Sequence, residues 1–175
     1  MADGKPAFPN AVVRADTREG GFWLSQANLD AAPADAKGFF QGAMASLQPY
    51  VAAGRFKPFD SGSDGIELMP GIRALPARGH TPGHTIYVVE SDGNRLVVWG
   101  DLMHVAAVQF AMPAVTIQFD TDAKAAAPQR QKNYADAANK GYFVAVAHVS
   151  FPGIGKLRAD GRGYQWVPAN YQSAP

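Results

Sequence analysis

The chain contains no cysteine. That excludes disulfides and thiolate metal sites, so a bound metal must be held by nitrogen and oxygen. Histidine is scarce too: only His80, His84, His104 and His148 are present. Any metal hypothesis is therefore a hypothesis about those four. No apolar run reaches the roughly 18 residues needed to span a bilayer. Neither sign of charge dominates: 16 Lys and Arg face 15 Asp and Glu, a net +1. This removes the electrostatic case for nucleic acid or an anionic membrane as partner. Met1 to Pro6 lacks the apolar core of a signal peptide, which places the chain as it stands in the cytoplasm. No internal repeat or low-complexity tract is present.

What remains describes a globular domain. A length of 175 residues predicts one domain over 1–175, able to bury about two-thirds of its unfolded surface. Residues 11–14 read as a short strand after the turn signal Phe8-Pro9-Asn10. Asp35 is a candidate cap for a helix running to about Ala53, with Phe39, Phe40, Met44, Leu47 and Val51 on one core-facing stripe. Residues 59–65 are turn-rich. Residues 72–75 read as a strand, and 85–90 and 95–99 flank the hairpin signal Ser91-Asp92-Gly93-Asn94. A second helix is predicted over 123–139, ending at Gly141. After it come a nearly all-apolar strand over 142–147, of the kind buried on both faces, and a last short strand over 164–167. Strands and helices in this order give an α/β or α+β layered fold.

Three residues carry the chemistry. His84 follows Pro82-Gly83 in a tight turn, Asp101 follows the apolar stretch Leu96–Trp99 and Gly100, and His148 follows the strand 142–147. Rigid strand ends can converge on one point, which a metal needs because ligand distances tolerate only about 0.2 Å of error. Imidazole and carboxylate suit zinc, manganese, iron or cobalt. Taken singly, each residue has a plainer reading: a structural histidine, or a turn aspartate.

The run Thr81-Pro82-Gly83-His84-Thr85, then Gly100-Asp101, then His148 at its observed spacing, resembles the metallo-β-lactamase superfamily. Four further segments, Ala7–Val13, Gly21–Gln26, Val105–Phe110 and Ser150–Gly155, are similar to its methyl parathion hydrolase and lactonase branch. The similarity runs from about Ala7 to the C-terminus, yet it matches only about the second half of that family's domain. The resemblance implies the C-terminal half of an αβ/βα sandwich. It implies two divalent metals, zinc first among the candidates, with His84 on one, His148 on the other and Asp101 bridging both as the catalytic residue. The implied reaction is hydroxide attack on a lactone, an aryl ester or an organophosphate triester. The other four family ligands belong to a His-x-His-x-Asp-His motif that this sequence does not contain.

His80 shares the motif of His84 but is read as a structural residue supporting a ligand from behind. His104, Ile117 and Phe119 look like the lactone- and aryl-ester-hydrolysing relatives, and with Trp23 they are candidates to line the substrate pocket. Plain core roles remain open for His104 and Trp23. The expectation is a chain truncated before the missing motif, impaired or inactive alone and in one outcome metal-free. It would form a homodimer or be complemented by an N-terminal half that covers the exposed sheet. Two other readings stay open: a noncatalytic remnant, and a metal-binding or self-associating module. Full-length relatives can be exported.

Overall fold

The computed structural model describes residues 5–170. The chain resolves into two compact units, Met1–Asp60 and Ser61–Pro175.

The first unit is helical. Helix α1 (Thr17–Trp23) starts where the Asp16 carboxylate accepts the Arg18 N–H at 2.9 Å, and α2 (Gln26–Ala31) where the Ser25 hydroxyl accepts the Asn28 N–H at 3.2 Å. Both are six or seven residues long, too short to show a periodic stripe, so only the caps mark them in the sequence. Helix α3 (Lys37–Ala52) begins later than the sequence suggests. Ala36 occupies the N-cap without a side-chain hydrogen bond, so Asp35 is not the cap. Its stripe is also narrower than expected: Phe40 and Met44 are buried, whereas Phe39 and Val51 remain 55% and 46% exposed. The rings of Phe22, Trp23 and Phe40 pack together at 4.7–5.2 Å. Residues 11–14 form no strand; Val13 makes one isolated parallel bridge to Phe56.

The second unit is a seven-stranded sheet whose spatial order follows the chain. Its strands are β1 (Ile66–Met69), β2 (Ile72–Pro76), β3 (Thr85–Ser91), β4 (Asn94–Val98), β5 (Phe143–Ala145), β6 (Ile154–Asp160) and β7 (Gly163–Pro168). All neighbours are antiparallel except β4 and β5. That parallel pair needs a crossover, which carries α4 (Ala106–Gln109) and α5 (Ala123–Lys140). Asp92 and Gly93, at φ 49° and 75°, make the β3–β4 turn that the sequence signals. Asp122 caps α5 by accepting the Ala125 N–H at 3.1 Å, and Gly141 in left-handed conformation ends it.

Alternation explains the core. Ile86, Val88, Val97 and Val144 are buried with Trp99, Phe110 and, from α5, Tyr134 and Ala137. One sheet face is thus covered. Strand β5 is three residues long, and Phe143 is 41% exposed beside a fully buried Val144. The expectation of burial on both faces is corrected, because the packed core takes only one of the two alternating sets. Strand β6 went unread although Gly155 and Leu157 alternate with exposed neighbours; its charges masked a period of two. No helix among the described residues is long and apolar enough to cross a membrane.

The indole of Trp99 stacks on Tyr134 at 5.1 Å, and the Tyr134 hydroxyl is buried without a hydrogen-bond partner. A buried unpaired hydroxyl carries a desolvation cost with no return. Tyr134→Phe is therefore expected to leave stability unchanged or raise it by up to about 1 kcal/mol. Urea unfolding measures this directly; a loss above that size would show that the hydroxyl has a partner in solution.

Candidate metal centre

Two turns and a strand end build the centre, all in the second unit. Gly79 to His84 connect β2 to β3, Gly100–Leu102 forms a single 3-10 turn after β4, and His148 lies just beyond β5. The first turn is stitched to the start of α5. Thr121 N–H donates to the His80 carbonyl at 2.9 Å, and Asp122 N–H to that of Gly79 at 2.9 Å.

Asp101 is the hub. Its Oδ1 lies 2.8 Å from His148 Nε2 and 4.0 Å from His104 Nε2, and its Oδ2 lies 3.5 Å from His80 Nε2. The imidazole of His104 touches both others: it packs at 4.6 Å against His80 and stacks at 4.5 Å on His148. Ligand atoms of His80, Asp101 and His104 all lie within 4.8 Å of one another. The hydrogen bond from His80, together with that from His148, holds the Asp101 carboxyl well below the usual carboxylate range against the opposing effect of burial. Burial works against charge on His80, but its hydrogen bonds to Asp101 and Asp120 outweigh it and raise the pKa. His104 moves the other way, down to about 4, through burial and the neighbouring His80 charge.

His80 and His84 have different surroundings. His84 donates from Nδ1 to the Ala77 carbonyl at 3.0 Å and accepts the Asp101 backbone N–H on Nε2 at 3.1 Å. Both ring nitrogens are thereby engaged within the protein, on a buried side chain. In this arrangement His84, expected from the resemblance to hold a metal, locks the turn that carries Asp101. Gly100 makes that turn close enough, at φ 53°, with the position of a Cβ only 3.3 Å from His84 Nε2. His80 instead presents Nε2 to Asp101, while its Nδ1 donates to the Asp120 carboxylate at 3.1 Å. A carboxylate behind a histidine fixes its tautomer and raises its basicity, the arrangement found behind metal-ligating histidines.

Asp120 and Arg130 were not anticipated. The Asp120 side chain is fully buried, accepts the Ile117 N–H at 3.1 Å on Oδ2 and lies 3.6 Å from an Arg130 guanidinium nitrogen. Arg130, also buried, donates to the carbonyls of Leu102 at 2.7 Å, Pro113 at 3.1 Å and Val115 at 2.6 Å. The only sequence signal was an arginine inside the predicted helix 123–139. Of the residues expected to line a pocket, His104 reaches the cluster. Ile117 and Phe119 lie in the turn that ends at Asp120, with Phe119 54% exposed. Trp23 belongs to the first unit, where its indole N–H donates to Glu19 at 2.7 Å.

Against known proteins, no family model and no curated protein matches the sequence. Solved structures do. The hydrolase AbOPH of the beta lactamase superfamily superposes with a TM-score of 0.84 at 35% identity, covering 95% of this chain and 57% of that one. The chain has the mixed α/β fold of the corresponding part of that hydrolase. AidC, a dizinc quorum-quenching lactonase, superposes with a TM-score of 0.84 at 24% identity over 98% of this chain and 59% of its own. A probable metal-dependent hydrolase from Staphylococcus aureus follows with a TM-score of 0.71 at 19% identity; these last two likenesses establish the fold. The chain spans less than three-fifths of the length of these similar structures. Its His-Asp-His group has the donor chemistry of a divalent-metal site.

Proposed function

We propose that this chain supplies metal ligands to a metal-dependent hydrolase centre, with His80 and His148 as nitrogen ligands and Asp101 as the carboxylate between them. One observation carries the reading: a single carboxylate met on Oδ2 by His80 and on Oδ1 by His148. The donor set of imidazole and carboxylate, without thiolate, fits zinc, with manganese, iron or cobalt as alternatives. When bound, a divalent ion supplies Lewis acidity toward a carbonyl or phosphoryl oxygen and brings the pKa of a water to about 7.

The chain's own residues do the positioning. Asp120 holds one proton of His80 on Nδ1, so that Nε2, which donates to Asp101 here, is the nitrogen that would be freed to ligate a metal beside that carboxylate. His84 fixes the backbone of Asp101 through the N–H it accepts. Arg130 balances the buried Asp120 charge and ties it to the 102–115 segment. Lactones and aryl esters are the proposed substrates, supported by the likeness to a hydrolase and to a lactonase. The sequence contains no His-x-His-x-Asp-His run, so three ligands stand where a two-metal site needs more. A polypeptide of these 175 residues is proposed to turn such substrates over slowly or not at all without a partner. That partner is a chain carrying such a run or a second copy of this one, and the partly exposed apolar side chains of Phe143 and Ile154 give it a surface to cover.

The test is turnover of dihydrocoumarin and phenyl acetate with added zinc or manganese, alongside metal analysis of Asp101→Ala. Bound metal lost in the variant, with weak or absent turnover, is expected. Metal retained by Asp101→Ala contradicts the reading. Asp120→Ala, one bond removed from the ligands, is expected to weaken zinc binding by about 10–100-fold, read by competition with a chromogenic chelator. Unchanged affinity would sink the positioning role of Asp120.

A further inference from the structure

We infer that the cleft between α5 and strands β2–β4 is a binding site for a small carboxylate with an apolar body. The cleft lies wholly within the second unit. It shares no residue with the cluster around Asp101.

The sequence builds both walls. On α5, Gln129, Lys132, Asn133, Asp136 and Lys140 recur at helical steps of three and four, so they share one side of the helix. On the sheet, alternation puts Leu75, Ile86, Val88 and Val97 on the face that α5 covers. Arg73 stands opposite Val88 in the register, and Val88 opposite Val97, so Arg73 extends that apolar row with a charge. Arg95, two residues before Val97, lies on the same face. The result is a cavity of about 270 Å³ with an apolar floor and a cationic rim. That is just under the roughly 300 Å³ at which sites for drug-sized molecules begin, so the occupant is small.

The rim carries more positive charge than the protein neutralises. Lys140 pairs with Asp136 at 2.7 Å, and the Tyr142 hydroxyl donates to the same carboxylate at 2.9 Å. Asp136 is thereby satisfied from two sides. Arg95 pairs with Glu90 at 2.7 Å and lies 5.7 Å from the centre of the Tyr142 ring. Arg73 reaches only the Asp64 backbone carbonyl, at 3.4 Å, and Lys132 has no carboxylate partner among the described residues. One cation on the sheet and one on the helix are thus left to meet an anion. A carboxylate matches the guanidinium fork of Arg73 and carries a single charge. The floor rewards a hydrocarbon body and penalises an ion that needs water all round, such as inorganic phosphate.

The experiment titrates the full chain, with no metal added, with sodium hexanoate and follows amide and methyl NMR shifts. Saturable shifts are expected at the amides of Lys132 and Asn133 and the methyl groups of Ile86, Val88 and Val97. Acetate is expected to bind more weakly, by up to about fourfold for each methylene it lacks. Hexanamide keeps the body without the charge and is expected to bind at least about tenfold more weakly. Lys132→Glu and Arg73→Glu, both at exposed positions, are expected to stay folded and each to weaken hexanoate binding at least about tenfold. The inference is overturned if no saturable shift appears, or if shifts gather at His80, Asp101 and His148 instead. Hexanamide or inorganic phosphate binding as tightly as hexanoate overturns it too, as does parental affinity in the variant carrying both charge reversals. None of these outcomes touches the metal reading, which is tested separately.

Discussion

Arg130→Leu is expected to remove about 3–5 kcal/mol of stability, the usual consequence of leaving one partner of a buried ion pair alone. The guanidinium is 1% exposed, and its loss strands the carbonyls of Leu102 and Pro113 and takes the guanidinium partner from the fully buried Asp120 carboxylate, while the Val115 carbonyl keeps the Gln109 amide. The melting temperature is expected to fall by roughly 10 °C or more. Asp120 then loses the group that fixes it from behind and holds His80 less firmly, and zinc affinity is expected to fall with it. Arg130→Lys keeps the charge but loses the planar fork that serves several acceptors at once, so an intermediate loss is expected. Denaturant unfolding of both variants decides the matter: a loss below about 1 kcal/mol for the leucine variant would mean that these carbonyls find other donors.

Gly79→Ala is expected to be comparably severe, for a steric reason. Gly79 sits at φ 138°, outside the range that L side chains adopt. An added Cβ lies 2.3 Å from the Ala126 nitrogen and 2.5 Å from its Cα, both backbone atoms of α5 that cannot swing aside. The turn bearing His80 must therefore separate from the helix, breaking the hydrogen bonds from Thr121 and Asp122. Strain and overpacking together are worth about 3 kcal/mol or more, and His80 loses its alignment on Asp101. Gly38 and Gly42 in α3 are the contrast. Nothing lies within 4 Å of a Cβ at either position, so alanine there is expected to stabilise by about 0.5–1 kcal/mol. If Gly79→Ala behaves like Gly42→Ala, the close packing of this turn on α5 is refuted.

The second unit was more legible than the first, and the reasons are local. Asp92-Gly93 announces a hairpin because both residues tolerate positive φ, and Gly141 announces the end of α5 for the same reason. The helices α1 and α2 hold only two turns each, and their apolar residues are too few to show a period. The strand read over 11–14 reduces to the single bridge at Val13, because apolar residues alone do not provide a sheet to join.

At the site, spacing and strand ends identified Asp101 and His148 as candidates, and the structure brings them together. The choice between His80 and His84 was not decidable from order in the chain. It depends on which ring finds a carbonyl and an amide, as His84 does, and which finds a carboxylate behind it, as His80 does. Asp120 and Arg130 were invisible for a related reason: an aspartate in a turn and an arginine on a helix read as solvated until the fold buries both.

The most direct test is zinc affinity, by chelator competition, of the parent chain beside His80→Ala and His84→Gln. Loss of at least about 100-fold in His80→Ala is predicted, with His84→Gln staying within about tenfold because it disturbs only the backbone seat of Asp101. A His80→Ala chain that binds zinc like the parent while His84→Gln does not would contradict this account of the centre.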